Sequence, residues 1–330
     1  MDKALSNKIH LVSFVCTIMV VFRHSLNMQA FGIDSFGTSY VAITENGVSK
    51  LTEVAVPYFF MVSGYFFFRS TYYGKGEYVG MLRKKLHTLF VPFVFWNIVG
   101  IVPSMLARQF VVEDSPWRYG LQLLHSDWSG VLWYVRDIMT MMVLVPVYSW
   151  IFVLNKKWLY GIAFLLLFMN WLPVDCSWVS SEGMLLFFLG GVLQKCNVNL
   201  NKSFPKMVLA MMSIAWFISC FAFPRYWPIH RYNTLLGILV LWQLCNYLPV
   251  KLSSWMLGAS AYSFFIYVVH ADILRPIKVM VAKFCFGNEV VAMSVYFALP
   301  IVTVAIALVL GKALNKKIPV VFNIMMGGRG

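Results

Sequence analysis

The chain has 330 residues, 60% hydrophobic and only 12% charged, whereas a soluble domain is nearer half apolar and a quarter charged. That excludes a water-soluble globular fold. Apolar stretches of roughly 17 to 25 residues recur along the chain, too long and too evenly apolar for barrel strands, so they read as helices in lipid. The net charge of +14 does not signal nucleic acid, because the basic residues lie in short loops beside apolar segments rather than in one stripe.

Apolar runs between polar punctuation predict helices near residues 9–30, 53–69, 86–106, 131–153, 158–173, 183–195, 207–223, 234–249, 256–274 and 290–314. The expected fold is all-α, a polytopic membrane helical bundle of about ten transmembrane helices. It is read as a single domain over 1–330, with no room for a soluble domain between the runs or after them. The first run lacks a small-residue cleavage pattern and meets polar Arg23-His24-Ser25, so it reads as a retained helix. Most of the 27 Lys and Arg residues share a side with the N-terminus, among them Lys3, Lys8, Lys156, Lys157, Lys312, Lys316 and Lys317. The positive-inside rule then places both termini in the cytoplasm. The six cysteines (Cys16, Cys176, Cys196, Cys220, Cys245 and Cys285) show no CxxC pair and no histidine at ligand spacing, which predicts neither a metal site nor a disulfide framework.

Ionisable groups inside lipid cost several kcal/mol, so those retained there are functional candidates. His24 lies about 22 Å along its helix from Ile9, and His270 about 21 Å along from Met256, at 1.5 Å per residue. Arg136 and Asp137 enter from the opposite side near the end of the fourth predicted helix, so four polar residues from three helices are expected in one layer. Each has a structural alternative: interhelical hydrogen bonding for the histidines, and an ion pair that only fixes packing for Arg136-Asp137. Arg23 points about 100° away from His24 and reads as structural or snorkelling outward. A second concentration of charge, Arg83-Lys84-Lys85-Leu86-His87, opens the third predicted helix. It is either a membrane-surface anchor and topology signal or a phosphate-binding cluster at a helix N-terminus. In Val56-Pro57-Tyr58-Phe59-Phe60-Met61-Val62-Ser63-Gly64-Tyr65 a proline is followed by a small Ser-Gly pair, the mark of close helix contact.

Five segments in order resemble the acyltransferase 3 family of integral membrane enzymes that O-acylate bacterial glycans and other molecules. Val56 to Phe67 resembles its FF-x-x-SG-(F/Y) helix, and Leu82 to Asn97 its basic run followed by LL-x-P-(Y/F)-x-x-W. Leu132-Trp133-Tyr134-Val135-Arg136-Asp137 is similar to LWFLR-D/A, Phe187-Phe188-Leu189-Gly190-Gly191 to FxLG, and Ser260 to His270 to SFxIYLxH. The family's first-helix signature is a basic residue, ten intervening residues and a histidine, a spacing that stacks both groups on one face about 16 Å apart. His24 fills the histidine place, while Ser13 stands where the basic residue belongs. His10, four turns less 40° before His24, is the substitute that could serve the same face. Lys85-Leu86-His87 stands where the family has R-x-R, keeping a cation but not the guanidinium fork.

The resemblance implies an O-acyltransferase, with acetyl-CoA or another acyl-CoA as donor and a glycan or lipid-linked sugar as acceptor, in a multi-pass protein of the cell inner (cytoplasmic) membrane. Membrane lipid is the other expected partner, nucleic acid and metal are not, and the acceptor's identity is not written in the sequence. Arg83, Lys84, Lys85 and His87 would hold the donor, with Ser63 grouped among the donor-binding residues. His24 would act as base or nucleophile, since a histidine near neutrality can take a hydroxyl proton or carry an acyl group. Arg136 or Tyr134 would support the oxyanion, and Asp137 or His270 would orient His24 or the acceptor. Two other readings stand beside this one. One is a secondary transporter or flippase whose buried His and Arg-Asp bind a proton or an anion, although no two related halves are found. The other is an acyltransferase-like scaffold without activity, suggested by Ser13.

Overall fold

The computed structural model describes residues 2–25, 28–33, 40–69, 75–106, 111–169, 178–222 and 227–328. Cys176, Arg108, Arg225 and Arg329 lie outside them. Among the described residues the regular structure is helical and no strand occurs. In chain order the helices are α1 (Lys3–Ser25), α2 (Tyr40–Thr52), α3 (Ala55–Phe67), α4 (Lys75–Lys85), α5 (Val91–Leu106), α6 (Pro116–His125), α7 (Trp133–Val143) and α8 (Val145–Ile151). They continue as α9 (Lys156–Phe168), α10 (Ser181–Lys195), α11 (Lys206–Ala222), α12 (Trp227–Leu244), α13 (Val250–Ser260), α14 (Ser263–Phe284), α15 (Glu289–Lys317) and α16 (Pro319–Met325).

By length and composition, three described helical stretches can each cross a bilayer: Lys3–Ser25, Gly76–Leu106 and Glu289–Lys317. The pair Gly130–Val143 and Val145–Ile151 makes a fourth if it is one span broken by a bend of 59°. Pro146 accounts for that bend, because its ring has no N–H to give and crowds the carbonyl four residues back.

Three differences from the predicted elements bear on function. The ninth predicted helix, 256–274, is two helices: the chain turns at 261–262, where Tyr262 N–H donates to Ala259 O at 3.0 Å, and α14 then runs on to Phe284. Arg275, Lys278 and Lys283 are therefore helical rather than in a loop, and the depth of His270 cannot be counted from Met256. Pro276 does not stop α14, as proline is tolerated where neighbouring helices supply hydrogen bonds. The first helix ends at Ser25, which puts His24 in its last turn. Finally, α4 runs through a π-helical segment at Leu86–Phe90 into α5 as one stretch, so Arg83, Lys84 and Lys85 are in mid-stretch and not at a helix N-terminus.

The described residues divide into two compact units. The first is built mainly from Met1–Phe59 and Asn199–Gly311. In it, α1 packs on α2, α13 and α14, and its core is aliphatic and aromatic, with Phe14, Val21, Ile266 and Ala307 fully buried. Trp242 adds a cation–π contact, its ring 4.5 Å from the ammonium of buried Lys8. The second unit comprises Phe60–Met169, Pro173–Val198 and Lys312–Gly330. Phe60, Phe187 and Phe188 are buried there, and the Phe68 ring lies tilted by 51° against Phe152 with centroids 4.4 Å apart.

In the second unit the two glycine-bearing motifs meet each other. A Cβ on Gly64 would lie 1.9 Å from Phe187 O, and one on Gly190 would lie 1.9 Å from Met61 O. Helices α3 and α10 thus touch backbone to backbone, which lipid-immersed helices use in place of a hydrophobic driving force. No flexible side chain can yield there. We expect Gly190→Ala to destabilise the protein by at least about 1–3 kcal/mol, the usual cost of overpacking. Gly161→Ala on α9, where an added Cβ meets nothing within 4 Å, should leave the melting temperature of detergent-purified protein unchanged or slightly raised.

Candidate functional site

The structure brings His24 and His270 together in the first unit. Their rings are 4.9 Å apart, centroid to centroid, and tilted by 55°. His270 is fully buried, whereas His24 is exposed. The Nδ1 of His270 is 2.6 Å from the main-chain carbonyl of Tyr267, one turn back on α14. A carbonyl oxygen only accepts, so this nitrogen carries a hydrogen. The second nitrogen, Nε2, has no hydrogen-bond partner among the described residues. A neutral His270 therefore keeps a bare, buried lone pair beside the His24 ring.

Arg23 explains why His24 faces that way. Its guanidinium donates to Ser49 O at 2.8 Å and to the Ser49 hydroxyl, and lies 2.8 Å from Glu53 Oε1. Glu53 in turn has Oε2 2.9 Å from His230 Nε2. The network ties α1 to α2 and α12, and with Arg23 held on that side, the 100° step to the next residue turns His24 away from it. Arg23 is thus structural rather than snorkelling. Lys278, buried on α14, reaches the carbonyls of His24 and Ser25 at 3.5 Å, a cation placed at the C-terminal end of α1 where the helix dipole favours one. Lys278, Glu53 and His230 were not singled out in the sequence. Glu53, a carboxylate opening an apolar run, carried the signal that could have found the network.

The other expected residues belong to the second unit. Arg136 and Asp137 pair with each other: Arg136 Nε and Nη2 donate to Asp137 Oδ1 at 3.1 and 2.9 Å. The remaining Asp137 oxygen accepts from the main-chain N–H of Ser180 at 2.9 Å, and Ser180 caps α10 by accepting from Gly183 N–H at 3.0 Å. Asp137 is fully buried with both oxygens engaged, so the pair locks α7 to the start of α10. The Tyr134 hydroxyl is 3.0 Å from Ser63 Oγ, with Phe60 edge-on to its ring at 4.8 Å.

Arg83, Lys84 and His87 are exposed around the π-helical segment, with Lys85 partly covered. Such segments break the helical hydrogen-bond register and are often found at functional sites. Helix α16 packs against the same stretch: Trp96 Nε1 donates to Met325 O at 3.0 Å, and Gly327, at φ +62, comes so close to Thr88 O that a Cβ would be 2.3 Å from it.

Apolar helices of membrane length among the described residues, with ionisable groups such as His270 and Asp137 buried between helices, fit a membrane protein. The sequence model of the acyltransferase 3 family, described as an acyltransferase domain, matches residues 7–312, nearly the whole chain. The protein belongs to that family and is a membrane acyltransferase. No curated protein and no solved structure matches it.

Both oxygens of Asp137 are engaged in holding α7 to the start of α10. We expect Asp137→Ala to cost about 3–5 kcal/mol, as for breaking a buried ion pair, with Arg136→Ala adding much less on top. Turnover per folded molecule should stay within a few-fold of the parent, measured beside thermal unfolding.

Proposed function

We propose that the protein is an O-acyltransferase of the inner membrane that moves an acyl group, acetyl in the first instance, from cytoplasmic acyl-CoA to a hydroxyl of a glycan or lipid-linked sugar. In this reading the chain crosses the bilayer about ten times with both termini in the cytoplasm. The observation that carries the chemistry is the His24–His270 pair, with the tautomer of His270 set by Tyr267 O.

The Nε2 lone pair of His270 can accept an N–H from His24, a bond that tightens once substrate is bound. The other nitrogen of His24, the accessible residue of the pair, is then bare. It takes the proton of the acceptor hydroxyl as that oxygen bonds to the thioester carbonyl carbon. The C–S bond breaks, and the departing thiolate recovers the proton from His24. Attack by the His24 nitrogen itself would use the same lone pair. The exposed cations Arg83 and Lys84, with His87, suit the phosphates of the donor, without help from helix amides, which are engaged in the continuous stretch. Arg136, Asp137, Tyr134 and Ser63 act in this reading as paired groups that hold the helices of the second unit, since each has a partner there.

Thioester consumption by the purified protein in detergent tests the reading. His24→Ala should insert and fold yet lose at least about 10²-fold in turnover per folded molecule, the scale of a missing general base. His270→Ala, measured alongside, should fall less far, because the relay loses its orientation but keeps the base. Near-normal turnover of His24→Ala would remove His24 from the chemistry, and no thioester consumption by the parent would favour a transporter or an inactive scaffold.

A further inference from the structure

Helix α6 is inside out for a segment in water. Trp117, Leu121 and Leu124 fall within about 60° of one another around its axis at 100° per residue, and they are 64%, 37% and 46% exposed. No residue of α6 is buried. Its polar side chains turn the other way and satisfy one another. Gln122 Nε2 donates to Glu113 Oε1 at 2.7 Å, Trp128 Nε1 donates to Gln122 Oε1 at 2.8 Å, and Glu113 N–H donates to the Tyr119 hydroxyl at 2.9 Å. Val111 and Val112, just before the helix, are exposed as well. Arg118 flanks it with its guanidinium over the Trp117 ring at 5.8 Å.

The position in the chain says what covers this face. Helix α6 connects the end of one membrane-length stretch, Gly76–Leu106, to the start of the broken span at Gly130, so it belongs at a bilayer surface. Tryptophan at the rim, leucine and valine outward and an arginine at the flank match the boundary between headgroups and acyl chains. A sugar-binding platform would place free polar groups beside the aromatic face to bond hydroxyls, and here Gln122 and Tyr119 face inward and are engaged, while the flanking Arg118 pairs with Glu113 Oε2 at 3.4 Å. We propose that α6 is an interfacial helix, its Trp117–Leu121–Leu124 face seated in the lipid surface with Arg118 toward the phosphates. The last carbonyl of α6, on His125, accepts from Arg136 Nη1 at 3.4 Å, so the lipid's hold on α6 reaches the first turns of α7.

The test replaces Leu121 or Leu124, one at a time, with the photo-crosslinking residue p-benzoylphenylalanine in the full chain, reconstituted in phosphatidylethanolamine–phosphatidylglycerol nanodiscs. Both positions are exposed, so folding should be kept, and thermal unfolding checks it. Mass spectrometry after irradiation should find phospholipid adducts at both positions in several-fold higher yield than at exposed Asn201 in the polar connection before α11. Yields no higher than at Asn201 would overturn the proposal. So would loss of the adducts on adding a soluble oligosaccharide, which would make the face a glycan platform.

Discussion

Hydrocarbon offers no hydrogen-bond partners, and the way this chain meets that constraint organises both of its units. Side chains that carry polar atoms into the helical interior are repeatedly answered by main-chain groups. Tyr58 donates to Ile9 O, Trp96 to Met325 O and Lys278 to the last carbonyls of α1, while Asp137 accepts from Ser180 N–H and Tyr267 O accepts from His270. Groups at helix ends and main-chain positions one turn away are the partners available when water is not. Each such bond also fixes an orientation, so the features that make the fold tolerable in lipid are the ones that aim its buried polar groups.

The histidine pair shows the coupling most clearly. Arg23 is committed to Ser49 and Glu53, and that commitment sets the rotation of α1. His24, the next residue, is then presented toward α14, where His270 already has one nitrogen committed to the main chain. Two adjacent residues on one helix thus do opposite jobs: one ties the helix down, and the other stays accessible. Arg136 and Asp137 are also adjacent, but they turn on each other and on Ser180, and so tie α7 to α10.

Much of this was legible in the sequence for identifiable reasons. Long apolar runs fix helices in lipid almost regardless of detail, and the Ser63-Gly64 pair marked a close helix contact, whose partner at Gly190 on α10 only the structure supplies. His24 and His270 stood out because ionisable groups among apolar residues need an explanation. What the sequence hid was decided by tertiary partners. Helix α2, with Glu45, Asn46 and Gly47, reads as a polar loop until Phe221 is seen packed over Gly47. The continuation of α14 past Pro276 depends on neighbours that no local pattern reveals, as does the turn at 261–262 that separates it from α13. The basic run 83–87 looked like a helix start because the polar residues before it hid α4. Glu53 was visible as a carboxylate opening an apolar run, but nothing local marked His230, far along the chain, as its partner.

In the proposed mechanism Tyr267 O leaves His270 Nε2 as the hydrogen-bond acceptor for His24, which is the base. The direct measurement is ring-nitrogen NMR of the protein labelled with 15N-histidine in lipid, with His270 assigned by its loss in His270→Gln. The account predicts a neutral ring with Nδ1 protonated and Nε2 bare, and on adding an acyl-CoA a shift of the Nε2 signal toward a hydrogen-bonded acceptor. An Nε2-protonated tautomer, or a permanently charged imidazolium, would contradict it.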